Sequence, residues 1–143
     1  MKNEATKLVT ESLLGLDFKT VVLAGKSYSV FQPTIKIICR GLKEWSRLDF
    51  ELDKEKGISI ADIPTNAPLI LKGLAYFVGG EVENWEDNAQ SLYEKWMNDT
   101  PSVLPREMYE ASKTIIEILG VDDFFGCAIL LTSVTKMAAT PNS

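Results

Sequence analysis

From Thr34 onward apolar residues recur at the helical period. Over residues 34–49, Ile37, Ile38, Leu42, Trp45 and Leu48 share one face, which predicts an amphipathic helix. Leu69 to Val78 is almost wholly apolar and stops at Gly79-Gly80, so a second, buried helix is expected there. Asn84 to Asn98 carries Trp85, Ala89, Leu92 and Trp96 at steps of four, three and four. Pro105 suits the first turn of the next helix, Arg106 to Leu119, whose Met108, Ala111, Ile115, Ile118 and Leu119 lie on one face before Gly120. Residues 122–137 form the last helix, with Asp122 and Asp123 at the end where the dipole favours acids. Its uncharged run Phe124 to Thr135 predicts a fully buried core helix.

Ahead of Thr34 the period is shorter. Thr20-Val21-Val22-Leu23 and Tyr28-Ser29-Val30-Phe31-Gln32 are β-rich runs around a Gly-containing turn, which predicts a hairpin closed by Pro33. A short helix is expected over residues 3–14, halted by Gly15. Asp49 to Gly57 reads as a charged linker and Ile58 to Pro68 as a loop punctuated by Pro64 and Pro68. The tail from Ala138 is expected to fray. The expected fold is mainly α: one domain over 1–143, with a hairpin at about 18–32 and five to six helices, the main helical part spanning about 34–138.

The composition narrows the chemistry. The 143 residues are 45% hydrophobic and 24% charged, which suits one globular domain able to bury a core without metal or disulfides. Histidine is absent, which removes Ser-His and Cys-His nucleophiles and the usual zinc-hydrolase ligands. Cys39 and Cys127 stand 88 residues apart and read as reduced packing residues. Gly25-Lys26-Ser27 ends like a phosphate-binding loop, but Thr20 stands where the first Gly belongs and a strand follows, so a hairpin turn is the better reading. Asp49, Glu51, Asp53 and Glu55 alternate like a calcium loop, yet Lys54 and Ile60 occupy its required Gly and Glu positions. Glu86/Asp87 and Asp122/Asp123 are adjacent on helices and point apart, so they form no acid/base couple. No catalytic, cofactor-binding or metal-binding residue is assigned, and the chain is expected not to be an enzyme. The uncharged stretch near the C-terminus is too short for a membrane span, and the N-terminus has no signal-like apolar run, so a cytoplasmic location is expected.

One charge pattern suggests a partner. Lys36, Arg40, Lys43 and Arg47 recur at four, three and four residues, forming a basic ridge opposite the apolar face of the 34–49 helix. Residues 1–56 carry net +2 and residues 57–143 net −7, so the ridge suits an acidic protein surface, including that of a second copy. Four basic residues on a chain of pI 4.8 do not make a nucleic-acid footprint.

The β-rich segment Val21 to Val30, the Gln32-Pro33-Thr34 entry into a long amphipathic helix, and the closing run Ile115 to Phe125 together resemble tail assembly chaperones of tailed bacteriophages and prophages. The resemblance covers most of the chain as an order of elements and contains no diagnostic motif. It implies a non-catalytic protein that coats the tape-measure protein while the tail tube polymerises. In that family a longer product often arises by a programmed frameshift near the C-terminus. The alternative is a small-molecule-binding regulatory domain with an aromatic pocket lined by Trp45, Trp85, Trp96, Tyr76 and Phe77.

Overall fold

Two consecutive positive φ angles, +56° at Ala24 and +72° at Gly25, close the hairpin. That is the twist a two-residue turn needs to match right-handed strands. In the computed structural model, which describes residues 18–50 and 59–139, strand β1 (Phe18–Leu23) pairs antiparallel with β2 (Lys26–Phe31). The register runs from Phe18 opposite Phe31 to Leu23 opposite Lys26. Val21, Leu23 and Val30 turn inward and are buried.

Helix α1 (Ile35–Trp45) leads through residues outside the described range to a short 3-10 turn, Ile60–Asp62, and then α2 (Ile63–Gly79). Helices α3 (Trp85–Asn98), α4 (Pro105–Ile118) and α5 (Val121–Ala139) follow. Helix α2 is central: α1, α3 and α4 all pack on it, and β1 packs on α4. Leu74, Phe77 and Ala75 of α2 meet Ile37 of α1, Trp96 of α3, Ile115 of α4 and Leu23 of β1 in one buried cluster. The mainly helical fold and the N-terminal hairpin match the sequence reading.

Four helices, α1 to α4, build the packed body with the hairpin, where five to six were expected. The helix expected over 3–14 and most of the linker 49–57 lie outside the described residues. Helix α2 begins at Ile63, inside the segment read as a loop. Pro64 falls in its first turn, where a missing N–H costs nothing. Pro68 does remove an internal hydrogen bond, but the buried Asn66 holds this end of the helix in place. Its Oδ1 accepts from the Asp49 backbone N–H at 2.7 Å, and its Nδ2 donates to the carbonyls of Asp49 at 2.8 Å and Asp62 at 2.9 Å.

Helix α1 is also rotated from the expected face. Leu42 is 42% exposed, and Gly41 and Glu44 are buried instead. The cause is close helix packing at two glycines. A Cβ on Gly41 would collide with the Phe77 ring, and one on Gly73 would collide with the Trp45 indole. Trp45 Nε1 donates to the Ile70 carbonyl at 3.1 Å, which fixes the indole in that notch. These contacts turn the face containing Gly41 towards α2, in place of Leu42.

The largest correction concerns α5. A core helix was expected; every described side chain from Val121 to Ala138 is exposed. Phe124 is 62% exposed, Ile129 70% and Met137 78%. The tail expected to fray from Ala138 is still helical at Ala138 and Ala139, and the residues after them lie outside the described range.

Candidate functional site

Three of the four basic ridge residues are engaged within the chain. Arg40 donates to Glu44 Oε1 at 2.6 Å and lies 4.6 Å from the centre of the Tyr76 ring. Arg47 reaches Glu44 Oε2 at 3.3 Å. Glu44 is thus a buried carboxylate clasped by two guanidinium groups, which offsets its desolvation. Burial raises the Tyr76 hydroxyl pKa above its ordinary value, against the lowering effect of Arg40. Lys36 pairs with Glu81 at 2.9 Å and lies over the Trp85 ring at 5.8 Å. Hydrogen bonds from Lys36 and then Thr34 hold the Glu81 carboxyl below its usual range. Lys43 is exposed in the last turn of α1. The rotation of α1 explains the layout: Arg40 moves from the solvent side to the edge of the α1–α2 contact.

The turn that resembled a phosphate loop has its amides occupied. Glu107, on α4, accepts from the N–H of Ala24 at 3.1 Å and of Gly25 at 2.9 Å, and also from the α4 N-cap, Leu104, at 2.8 Å. One carboxylate caps a helix and anchors a hairpin more than eighty residues away in sequence. These backbone donors, Leu104 foremost, hold its pKa below the ordinary glutamate value.

The five aromatics considered as a pocket lining pack on one another and on neighbours. Trp45 lies 5.1 Å from Phe77, and Tyr76 5.9 Å from Trp85, centroid to centroid. Trp96 makes an edge contact with Tyr28 at 5.9 Å and donates to its hydroxyl at 3.3 Å. A trough of about 360 Å³ lies elsewhere, between β1 and α4, where Val22, Leu104, Ala111 and Thr114 line it with Arg106 and Glu110. Among the described residues no group of three or more His, Cys, Asp or Glu could hold a metal ion.

The feature that the sequence reading placed wrongly is the strongest candidate for recognition. Gly120, at φ +72°, ends α4 and launches α5 beside Gln32. At about 1.5 Å per residue the 19 residues of α5 extend roughly 28 Å. Eight large apolar side chains are exposed along it: Val121, Phe124, Phe125, Ile129, Leu130, Leu131, Val134 and Met137. Each forgoes about 1.5–3 kcal/mol relative to burial, a far larger apolar display than isolated surface residues make. Two hydroxyls on the helix are turned inward, Ser133 Oγ donating to the Ile129 carbonyl and Thr135 Oγ1 to that of Leu131.

Helical geometry sorts α5 into two sides. Phe124, Cys127, Leu131, Val134 and Ala138 recur at steps of three, four, three and four, the spacing of a coiled-coil seam, with Leu130 and Met137 flanking it. The other side carries Val121, Phe125 and Ile129 among Asp122, Thr132, Ser133 and Lys136. No described helix is long and apolar enough to cross a membrane. No family model, curated protein or solved structure matches the chain.

Proposed function

We propose that this chain is a non-catalytic assembly protein that holds a protein partner through α5. The observation that carries the reading is the exposure of apolar residues along the whole of that helix. An isolated helix of this length is marginal in water, and its apolar surface favours a macromolecular contact that buries it. Recognition by helix pairing needs an apolar stripe on the client that meets Val121, Phe125 and Ile129, spaced four apart on the side of α5 away from the seam. The body supplies a rigid base: Glu107 ties the hairpin to α4, and Gly120 sets the direction in which α5 leaves.

The concrete form of this reading is a phage tail assembly chaperone, with the tape-measure protein as client. The resemblance in element order supports it, and so does a surface built for apolar protein contact with no assigned catalytic group. The basic ridge has a smaller part here, because Lys36, Arg40 and Arg47 already bind acidic or aromatic neighbours in the chain. Lys43 is the member best placed to meet an acidic client.

The test is co-expression of the tagged chain with a phage tape-measure protein. The wild type should retain that protein through purification. Phe125→Asp with Ile129→Asp, on the side of α5 away from the seam, should abolish retention and leave the body folded. Retention undiminished by these changes, or no association in the wild type, would contradict the reading.

A further inference from the structure

We propose that α5 pairs with α5 of a second copy, antiparallel and two-fold symmetric about Leu131, through the seam Phe124, Cys127, Leu131, Val134 and Ala138. This goes beyond the assembly reading and does not depend on it. Three features of the helix point to a second copy as the occupant.

The first is the way the seam complements itself. Reversal about Leu131 sets Phe124 opposite Ala138, so the largest side chain meets the smallest, and brings Cys127 to within one residue, about 1.5 Å, of the level of Val134. A parallel, in-register pair would instead stack Phe124 on Phe124 and leave Ala138 facing Ala138. A seam that fills evenly only when reversed is suited to an isologous contact with itself.

The second is charge. Asp122 and Asp123 sit together in the first turn. Parallel pairing would gather four carboxylates at one end, whereas antiparallel pairing separates them by the length of the helix. It also sets each positive N-terminal dipole beside a negative C-terminal one.

The third is area. With exposures of 62–64% at Phe124, Leu130 and Leu131, 54% at Val134 and 78% at Met137, and with Cys127 and Ala138, the seam side presents roughly 700 Å² per copy. A standard stable interface buries about 800 Å² per partner. The dyad also lies about 15 Å along α5 from its start, so the two packed bodies leave from opposite ends. Phe125 and Ile129 stay on the outer side of the pair.

The experiment uses the full chain in a Cys39→Ser background, which removes the other exposed thiol. Sedimentation equilibrium should give a dimer, and Leu131→Asp should raise the dissociation constant by at least about 100-fold, the near-ultraviolet signal of the Trp96–Tyr28 contact being retained. Under mild oxidation Val134→Cys should form a covalent dimer through Cys127 of the other copy, while the parent with Cys127 alone should not. A monomer at all concentrations overturns the proposal, as does a dimer indifferent to Leu131→Asp. Efficient cross-linking of the parent through Cys127 would establish a parallel pair and overturn it too. So would a monomer that instead floats with phosphatidylglycerol–phosphatidylcholine vesicles. Retention of the tape-measure protein by a strictly monomeric chain would sink the dimer and leave the assembly reading standing.

Discussion

The indole of Trp45 occupies the space where Gly73 would carry a Cβ, and its Nε1 donates to the Ile70 carbonyl three residues earlier on α2. This contact sets the rotation of α1, and the rotation decides which charges of the ridge are free. It gives the first prediction. Gly73→Ala should improve helix propensity by about 1 kcal/mol yet lose about 1–3 kcal/mol to overpacking against a side chain pinned by its hydrogen bond. A net loss in denaturant titration is expected. Gly126→Ala, in α5 with nothing within 4 Å of the new Cβ, is the control and should gain about 0.5–1 kcal/mol of helix stability.

Glu107 links stability to pH. Its carboxyl titrates below the ordinary glutamate value in the folded chain. The folded state therefore binds its proton less readily than the unfolded state. Its contribution is present above the unfolded pKa of about 4.3 and is lost as pH falls through the lowered folded value. Glu107→Gln should cost about 1 kcal/mol at neutral pH, discounted for its partial exposure, and should flatten the acid limb of a stability–pH curve. An unchanged acid limb would assign that limb to other carboxylates.

Trp96 is 1% exposed, which makes it a core side chain with a polar handle on Tyr28. Trp96→Ala should destabilise by about 3–5 kcal/mol, and Tyr28→Phe by about 0.5–1.5 kcal/mol. Thermal unfolding followed by far-ultraviolet circular dichroism would read both.

The ridge residues should separate by partner. Lys43→Glu, at an exposed site, should change stability by less than about 0.5 kcal/mol. Arg40→Glu would set a second carboxylate beside buried Glu44 and should cost about 1–2 kcal/mol. Equal effects at the two positions in denaturant titration would contradict the clasp around Glu44.

Periodicity alone located α3 and α4 to within a residue, because caps and prolines mark their ends. It also found both strands and their turn. It missed the first turns of α2, because Pro64 and Pro68 read as breakers and the long-range bonds of Asn66 have no local signature. The face of α1 was misplaced because the Gly41 and Gly73 notches belong to a pair of helices and are invisible in either one. Helix α5 was recognised as a helix and wrongly buried. An apolar run records that burial is wanted, and says nothing of whether the same chain or another supplies it.

Amide hydrogen exchange across α5, followed over a dilution series and then with the client added, tests the central claim most directly, that this helix is an element for contact with other chains. Exchange at Ile129 to Val134 should approach the unfolded rate at high dilution, slow as concentration rises, and slow further with the tape-measure protein. The amides around Leu74 and Ile115 should stay protected throughout. Protection of α5 that is as strong at high dilution as at high concentration, and unmoved by the client, would mean that its own body buries it, and would contradict the account.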